Sequence, residues 1–251
     1  MKQKINKQVL HLINNRRSIR SFLDKKVSDE LIVKIVQAGQ RAPSPGNFQL
    51  YSVIKITNGK IRKEICNLIE PQEFVKKAPT WLIICVDWAR LEKLVASKNI
   101  KPKTNTMARL LVGTIDASLF TQNMVIACDA LGLGSILIGS PWCNMEGLAK
   151  LLHLPKKVLP IMLMCIGYPT NIPPLKPRWH LESIMCKNKY SFPSTKKIKI
   201  YYDKNNKKLL KMGYFEHNIA NWKKHWQMRL TSPGNKRTWS KIPKAIRNLK
   251  F

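Results

Sequence analysis

Acidic side chains are scarce in this chain. Its 251 residues hold 14 Asp and Glu against 45 Lys and Arg, a formal net charge of +31. That shortage leaves no paired-carboxylate constellation of the kind general acid–base catalysts use. His11, His153, His180, His217 and His225 are scattered, and none stands in a convincing Ser-His-Asp or Cys-His arrangement. Each reads as a surface or structural imidazole. The six cysteines, Cys66, Cys85, Cys128, Cys143, Cys165 and Cys186, include no Cys-x-x-Cys pair. They read as buried thiols of a reducing compartment, not as a disulfide framework or a metal site. No catalytic side chain and no metal ligand is assigned.

Long apolar runs are also missing. The N-terminal residues lack the continuous apolar region of a signal peptide, and no stretch approaches the roughly 18 residues of a membrane span. The chain reads as soluble and cytoplasmic, with no membrane partner. Its cationic excess is Lys mixed with Asn and Ile, as in Lys204-Asn205-Asn206-Lys207-Lys208. Zinc-finger spacing, a clear helix-turn-helix and an aromatic-interleaved basic motif are absent, so nucleic acid is not the expected partner. The field should attract small anions.

What is present supports a packed core: 44% of residues are hydrophobic. Ile5, Val9, Leu12 and Ile13 repeat at helical spacing, and the pattern stops at Asn14-Asn15. Arg16-Arg17-Ser18-Ile19-Arg20 follows, and the spacing predicts that this cluster closes the helix. By itself it fits either a solvated basic face or a forked grip on phosphate oxygens. Ser28 is a candidate N-cap for a helix to about Gln40, with Asp29 and Glu30 in its first turn. The turn-rich loop Ala42 to Gln49 precedes a strand over about Tyr51 to Thr57. A helix over Lys60 to Ile69 and a buried strand over Trp81 to Val86 come next. Met107 to Leu131 is the longest helix candidate, apolar on most sides and ended by Gly132 and Gly134. Ser135 to Gly139 and Val158 to Gly167 read as strands, with a helix capped by Asn144 between them. Residues 97 to 106 read as a mobile loop, and Lys187 to Lys211 as a solvated excursion. Tyr214 to Met228 reads as helical. Interspersed strands and helices predict α+β or α/β. A second cationic pair lies downstream in Lys176-Pro177-Arg178.

Taken together and in order, these segments resemble the FMN-dependent nitroreductase family. The carrying motifs are RRSIRSF at Arg16 to Phe22, APSPGNFQ at Ala42 to Gln49, Gln72, and DASLFTQNMVIACDALGLGSILIGS at Asp116 to Ser140. HLPKKVLP at His153 to Pro160, IGYP at Ile166 to Pro169 and LKPR at Leu175 to Arg178 complete them. Residues 5 to 180 are covered, with a short echo at Arg237 to Ser240. Within the family the chain is most similar to NADPH-dependent oxygen-insensitive nitroreductases and flavin reductases.

The resemblance implies an α+β fold with a mixed four- to five-stranded sheet flanked by helices, in an interlocked homodimer with FMN at the interface. Residues 1–185 would form the FMN-binding domain, and 186–251 a basic extension packing on it. Arg16, Arg17, Ser18, Ile19 and Arg20, with Lys176, Pro177 and Arg178, would hold the FMN phosphate and ribityl chain. Ser44, Asn47 and Gln72 would contact the ribityl and ring edges, and Leu137, Ile138, Gly139 and Ser140 would line the ring. Cations beside the ring would favour its anionic reduced form. FMN would carry the chemistry in a ping-pong cycle, from NADPH to a nitroaromatic, quinone or free flavin. Arg229, Lys236 and Arg237 are the candidate contacts to the NADPH 2′-phosphate.

This chain departs from the family pattern at several points. Arg16 stands where relatives often have His, Ser140 replaces the second Gly of a Gly-Gly pair, and Trp142 lies near where relatives place a cation. An FMN-holding store or sensor with little turnover is the competing reading, and a basic nucleic-acid-binding protein a third.

Overall fold

The computed structural model describes residues 7–69, 71–100, 105–213, 223–224 and 242–249. The described residues divide into two compact units: one runs to Pro173 and includes the closing helix, the other starts at Pro174.

The first unit is a sheet covered on both faces. Strands β1 (Tyr51–Ile56), β2 (Thr80–Asp87), β3 (Gly134–Ile138) and β4 (Val158–Gly167) lie in the order β1-β2-β4-β3, and every neighbouring pair is antiparallel. Among the described residues a parallel pairing occurs only as an isolated bridge, Ser18 to Ser135. The sequence explains the double cover. Residues 80 to 87 are buried throughout, so both faces of β2 must be apolar. Leu82, Ile84 and Val86 face one core, and Trp81, Ile83 and Cys85 the other.

The first core is closed by α2 (Asp29–Gly39) and α6 (Thr106–Ala130). Ser28 caps α2 as expected, accepting from the Leu31 amide at 3.3 Å, and Asn105 caps α6 through the Ala108 amide. The two helices meet closely at Gly39, where a Cβ would stand 2.7 Å from the Phe120 ring. The second core is closed by α3 (Gly59–Ile69), the short α4 (Glu73–Lys77) and α7 (Met145–Leu151). Asn144 caps α7 through the Gly147 amide at 3.0 Å. The remaining helices of this unit are α1 (Lys7–Asn15), α5 (Ala89–Ala96) and α9 (Ile242–Asn248). Ala245 and Ile246 of α9 join the first core.

Helix α6 is only partly buried. It buries a face, Ala117, Phe120, Met124, Val125 and Cys128 among it, yet leaves Met107, Leu111, Ile115 and Leu119 exposed. The helix is also long and apolar enough, by length and composition, to cross a membrane. The sequence expectation counted uninterrupted apolar residues, and Arg109, Asp116 and Asp129 break α6 into shorter runs. Asp116 is buried within this unit and hydrogen-bonded there, which makes α6 a core helix of the unit.

In the second unit α8 spans Thr195–Lys211, where sequence reading expected an open excursion. Ser194 caps it by accepting from the Lys197 amide, and Asn205 and Leu209 are buried. Asn205 Nδ2 donates to the Arg178 carbonyl at 3.0 Å, which ties the helix to the segment before it. Lysine density hid a helical stripe. Of the expected helix over Tyr214 to Met228, all but Lys223 and Lys224 lies outside the described residues.

Candidate functional site

The arginine cluster does not close a helix. α1 ends at Asn15, and Arg16 to Arg20 continue as an extended segment beside β3. Two contacts hold it there. The Ile19 amide donates to the Ser135 carbonyl at 3.0 Å. The Ile19 side chain is buried against Gly134, where an added Cβ would stand 2.5 Å from Ile19 Cγ1. A glycine is therefore required at the start of β3 if the strand beside it is to seat an isoleucine.

With Ile19 fixed inward, extended backbone turns its neighbours the other way. Arg20 is exposed, and its guanidinium lies 5.8 Å from the centroid of Phe74 in α4. Gln72 is exposed at the N-cap of α4, two residues from that ring. Arg17 Nη1 donates to the Asn15 carbonyl at 2.6 Å, while its buried Nε has no partner. Arg16 Nη1 reaches Ser18 Oγ at 3.5 Å. Ser135 Oγ, across the bridge from Ser18, is buried without a partner too. Among the described residues none of these three guanidiniums forms an ion pair with a carboxylate. Uncompensated cations beside orphaned polar atoms are a demand for an anionic, hydrogen-bonding ligand. These residues therefore suit a phosphate-bearing cofactor such as FMN.

One acid lies close by. Asp129, on α6, lines a pocket of about 150 Å³ with Asn15, Arg17 and Ile19. Burial pushes its carboxyl up to about 6, against the pull of Arg16 and Arg17.

The β3 end carries the next group. Leu137 is exposed, Ile138 and Ser140 are buried, and Gly139 is followed by a turn holding Trp142. The Trp142 indole N–H donates to the Ile161 carbonyl at 2.5 Å. The bridge at Ser135 sets Leu137 to Ser140 a few residues along from the arginine segment.

The turn-rich loop lies elsewhere. Ser44 Oγ donates to Asp116 Oδ2 at 2.9 Å and accepts from the Gln49 amide at 2.8 Å. The Leu50 amide donates to the same Asp116 oxygen at 2.7 Å. Asp116 is the anchor of this loop. Gly46 and Asn47 both have positive φ, and Asn47 is exposed. Asp116 and Asp129 are thirteen residues apart on α6, about 20 Å along its axis at 1.5 Å per residue. Within the chain the loop and the arginine segment thus sit at separate stations along the helix.

Lys176 to Arg178 belong to the second unit. Arg178 Nη1 points toward its own backbone, 3.4 Å from the Lys176 carbonyl and 3.3 Å from that of Pro177. Arg229, Lys236 and Arg237 lie outside the described residues. Sequence reading missed Asp129, Ser135 and Phe74, since nothing local marks an acid, a serine or an aromatic as facing a basic strand.

Comparison with known proteins gives the family. The Nitroreductase family profile matches residues 13–168. An oxygen-insensitive NADPH nitroreductase of Salmonella typhimurium is 32% identical over 194 residues, covering 77% of this chain and 79% of the relative. An FMN reductase (NAD(P)H) of Bacillus subtilis is 34% identical over 185 residues, covering 73% and 74%. The solved structure of NfrA2 from B. megaterium superposes with a TM-score of 0.87 at 26% identity, covering 97% of this chain and 98% of that one. The chain belongs to the nitroreductase family.

The Asp129 shift carries a testable consequence. Its folded pKa is raised above the ordinary carboxylate value, so the folded state holds this proton more tightly than the unfolded chain does. The penalty is absent below about pH 4, grows as pH rises to about 6, and is complete above that. Asp129→Asn should therefore stabilise the protein at pH 7.5 by about 1 kcal/mol, after discounting for solvent screening. At pH 4 it should change nothing. Urea titrations at the two pH values read the difference.

Proposed function

We propose that this protein is an FMN-dependent oxidoreductase that takes reducing equivalents from NAD(P)H, NADPH in preference, and delivers them to a flat acceptor. Nitroaromatics, quinones and free flavin are the acceptor classes. The observation that carries the reading is the extended Arg16–Arg20 segment, whose guanidiniums form no ion pair with a carboxylate among the described residues and which is bridged to β3 beside two orphaned buried polar atoms. Family membership supplies the cofactor class that such a site would hold.

FMN, when bound, supplies the hydride chemistry, so the protein needs no catalytic acid or base of its own. Arg16, Arg17 and Ser18 bind and orient the phosphate end. Lys176 and Arg178 are assigned to the same phosphate on family resemblance. Arg20 places positive charge toward the ring, and Leu137 to Ser140 line it. Asn47, Gln72 and Ser44 contact ribityl and ring edges, Ser44 with a hydroxyl already joined to Asp116. Flavin contacts then fall within 1–185, and nucleotide contacts, Arg229, Lys236 and Arg237, within 186–251. The work is cytoplasmic, with no nucleic acid or membrane involved.

The active form we propose is a homodimer. Met107, Leu111, Ile115 and Leu119 form an exposed apolar stripe every four residues on α6, and α1 buries none of its residues in the protomer. A two-fold partner on this stripe would bring its own Ser44–Asn47 loop toward the arginine segment and close the separation of about 20 Å along α6.

The purified protein should be yellow, and anaerobic NADPH should bleach it faster than NADH at equal concentration. Arg20→Ala should retain the fold and weaken FMN binding about ten- to hundredfold, the loss of one charge-assisted contact. Flavin that stays oxidised under NADPH would leave a flavin-holding protein without turnover. For the dimer, Ile115→Asp should convert the species seen by light scattering to a monomer and release flavin; a flavin-loaded, active monomer would contradict the interface.

A further inference from the structure

A cavity of about 500 Å³ in the first unit lies at the opposite corner of the sheet from the arginine segment. The arginine segment borders β3 at one edge, near the end where Thr80 pairs with Ile166. The cavity borders β1 at the other edge, near the end where Asp87 pairs with Val158. A volume of this size is within the range of small-molecule sites.

Its walls are fixed before any ligand arrives. Ile54, Ala89, Leu154, Pro155 and Val158 make them apolar. The β2–β4 register shifts between Ile84 and Cys85, where β4 carries one extra residue, Ile161. Cys85 offers only a neutral thiol, its pKa pushed up to about 12 by burial. The loop carrying Leu154 and Pro155 has two non-glycine residues at positive φ, His153 and Lys157. That conformation persists because the surroundings over-determine it. The Lys157 carbonyl accepts from the Trp88 amide at 3.1 Å, and its Nζ pairs with Glu92, which also holds Arg109 at 2.8 Å.

The rim is cationic. Asp87, the acid on the lining, has both oxygens committed, one to the Ser52 hydroxyl and one to the Arg90 amide at 3.2 Å. Arg90 Nη2 donates to the Gln49 and Tyr51 carbonyls, which fixes the guanidinium and leaves its other N–H groups available. Lys93 is exposed beside it, and among the described residues neither cation pairs with a carboxylate.

We infer that this cavity is a second binding site, separate from the flavin site, for a small aromatic monocarboxylate. The aromatic body fills the apolar walls, and the carboxylate meets Arg90 and Lys93 at the rim. The inference does not depend on the proposed reaction.

The test is titration of the ¹⁵N-labelled holoprotein with 2-naphthoate, and separately with neutral 2-naphthylmethanol. Naphthoate should bind saturably and shift the amides of Ala89, Lys93 and Leu154, while those of Ser18, Gly134 and Leu137 hold still. Naphthylmethanol should bind at least about tenfold more weakly, and Lys93→Glu should cost naphthoate a similar factor. Leu154→Trp, which fills the cavity, should abolish the shifts. Thermal midpoints and flavin content of both variants confirm folding. Shifts confined to the flavin-site amides, equal binding of acid and alcohol, or naphthoate affinity unchanged in folded Lys93→Glu would each overturn the inference.

Discussion

Ile19 occupies the space that a side chain at position 134 would need, and its amide bonds to Ser135 next door. This apolar contact decides where the charge goes. Three arginines within five residues could lie in solvent, each with its own rotamers to lose on binding. Pinning the residue between Arg17 and Arg20 against β3 removes most of the backbone part of that cost. The electrostatics then follow: guanidiniums held beside one another, with Asp129 nearby but no ion pair to a carboxylate among the described residues, keep charge to offer a ligand. The site is costly to the free protein and favourable to an anion for the same reason.

Helix α6 spaces the parts. Asp116 fixes the Ser44 loop at one station, and Asp129 stands beside the arginines at another. The exposed stripe from Met107 to Leu119 runs along the same helix, so the surface that a partner would cover and the residues that a cofactor would need share one rigid element. Around it, a net charge of +31 gives a field that favours anionic ligands of any kind, flavin and nucleotide included. The field raises encounter rates; the arginine segment gives the encounter a place and an orientation.

Much of this was legible in the sequence. The strand from Val158 to Gly167 and the helix beginning near Met107 are long, apolar and bounded by turn residues, and each appears where its pattern predicted. The caps Ser28 and Asn144 were readable because an N-cap is a local chemical event. The arginines were visible as a cluster, and their family order gave them a role. Their conformation was not visible, because the pairing with Ser135 joins residues more than a hundred positions apart. A separation of 72 positions hid the tie between Ser44 and Asp116 in the same way. Helix α8 was missed for a different reason: its buried positions, Asn205 and Leu209, are few, and lysine outnumbers them.

The central claim is that the Arg16–Arg20 segment anchors a flavin by its phosphate. The most direct measurement is the affinity of the flavin-free protein for FMN against riboflavin, which differ by that group alone, followed by fluorescence quenching at low and high salt. The account predicts FMN bound at least about a hundredfold more tightly at low salt, the worth of two or more charge-assisted contacts, with the advantage shrinking as salt rises. Riboflavin bound as tightly as FMN at low salt would contradict it.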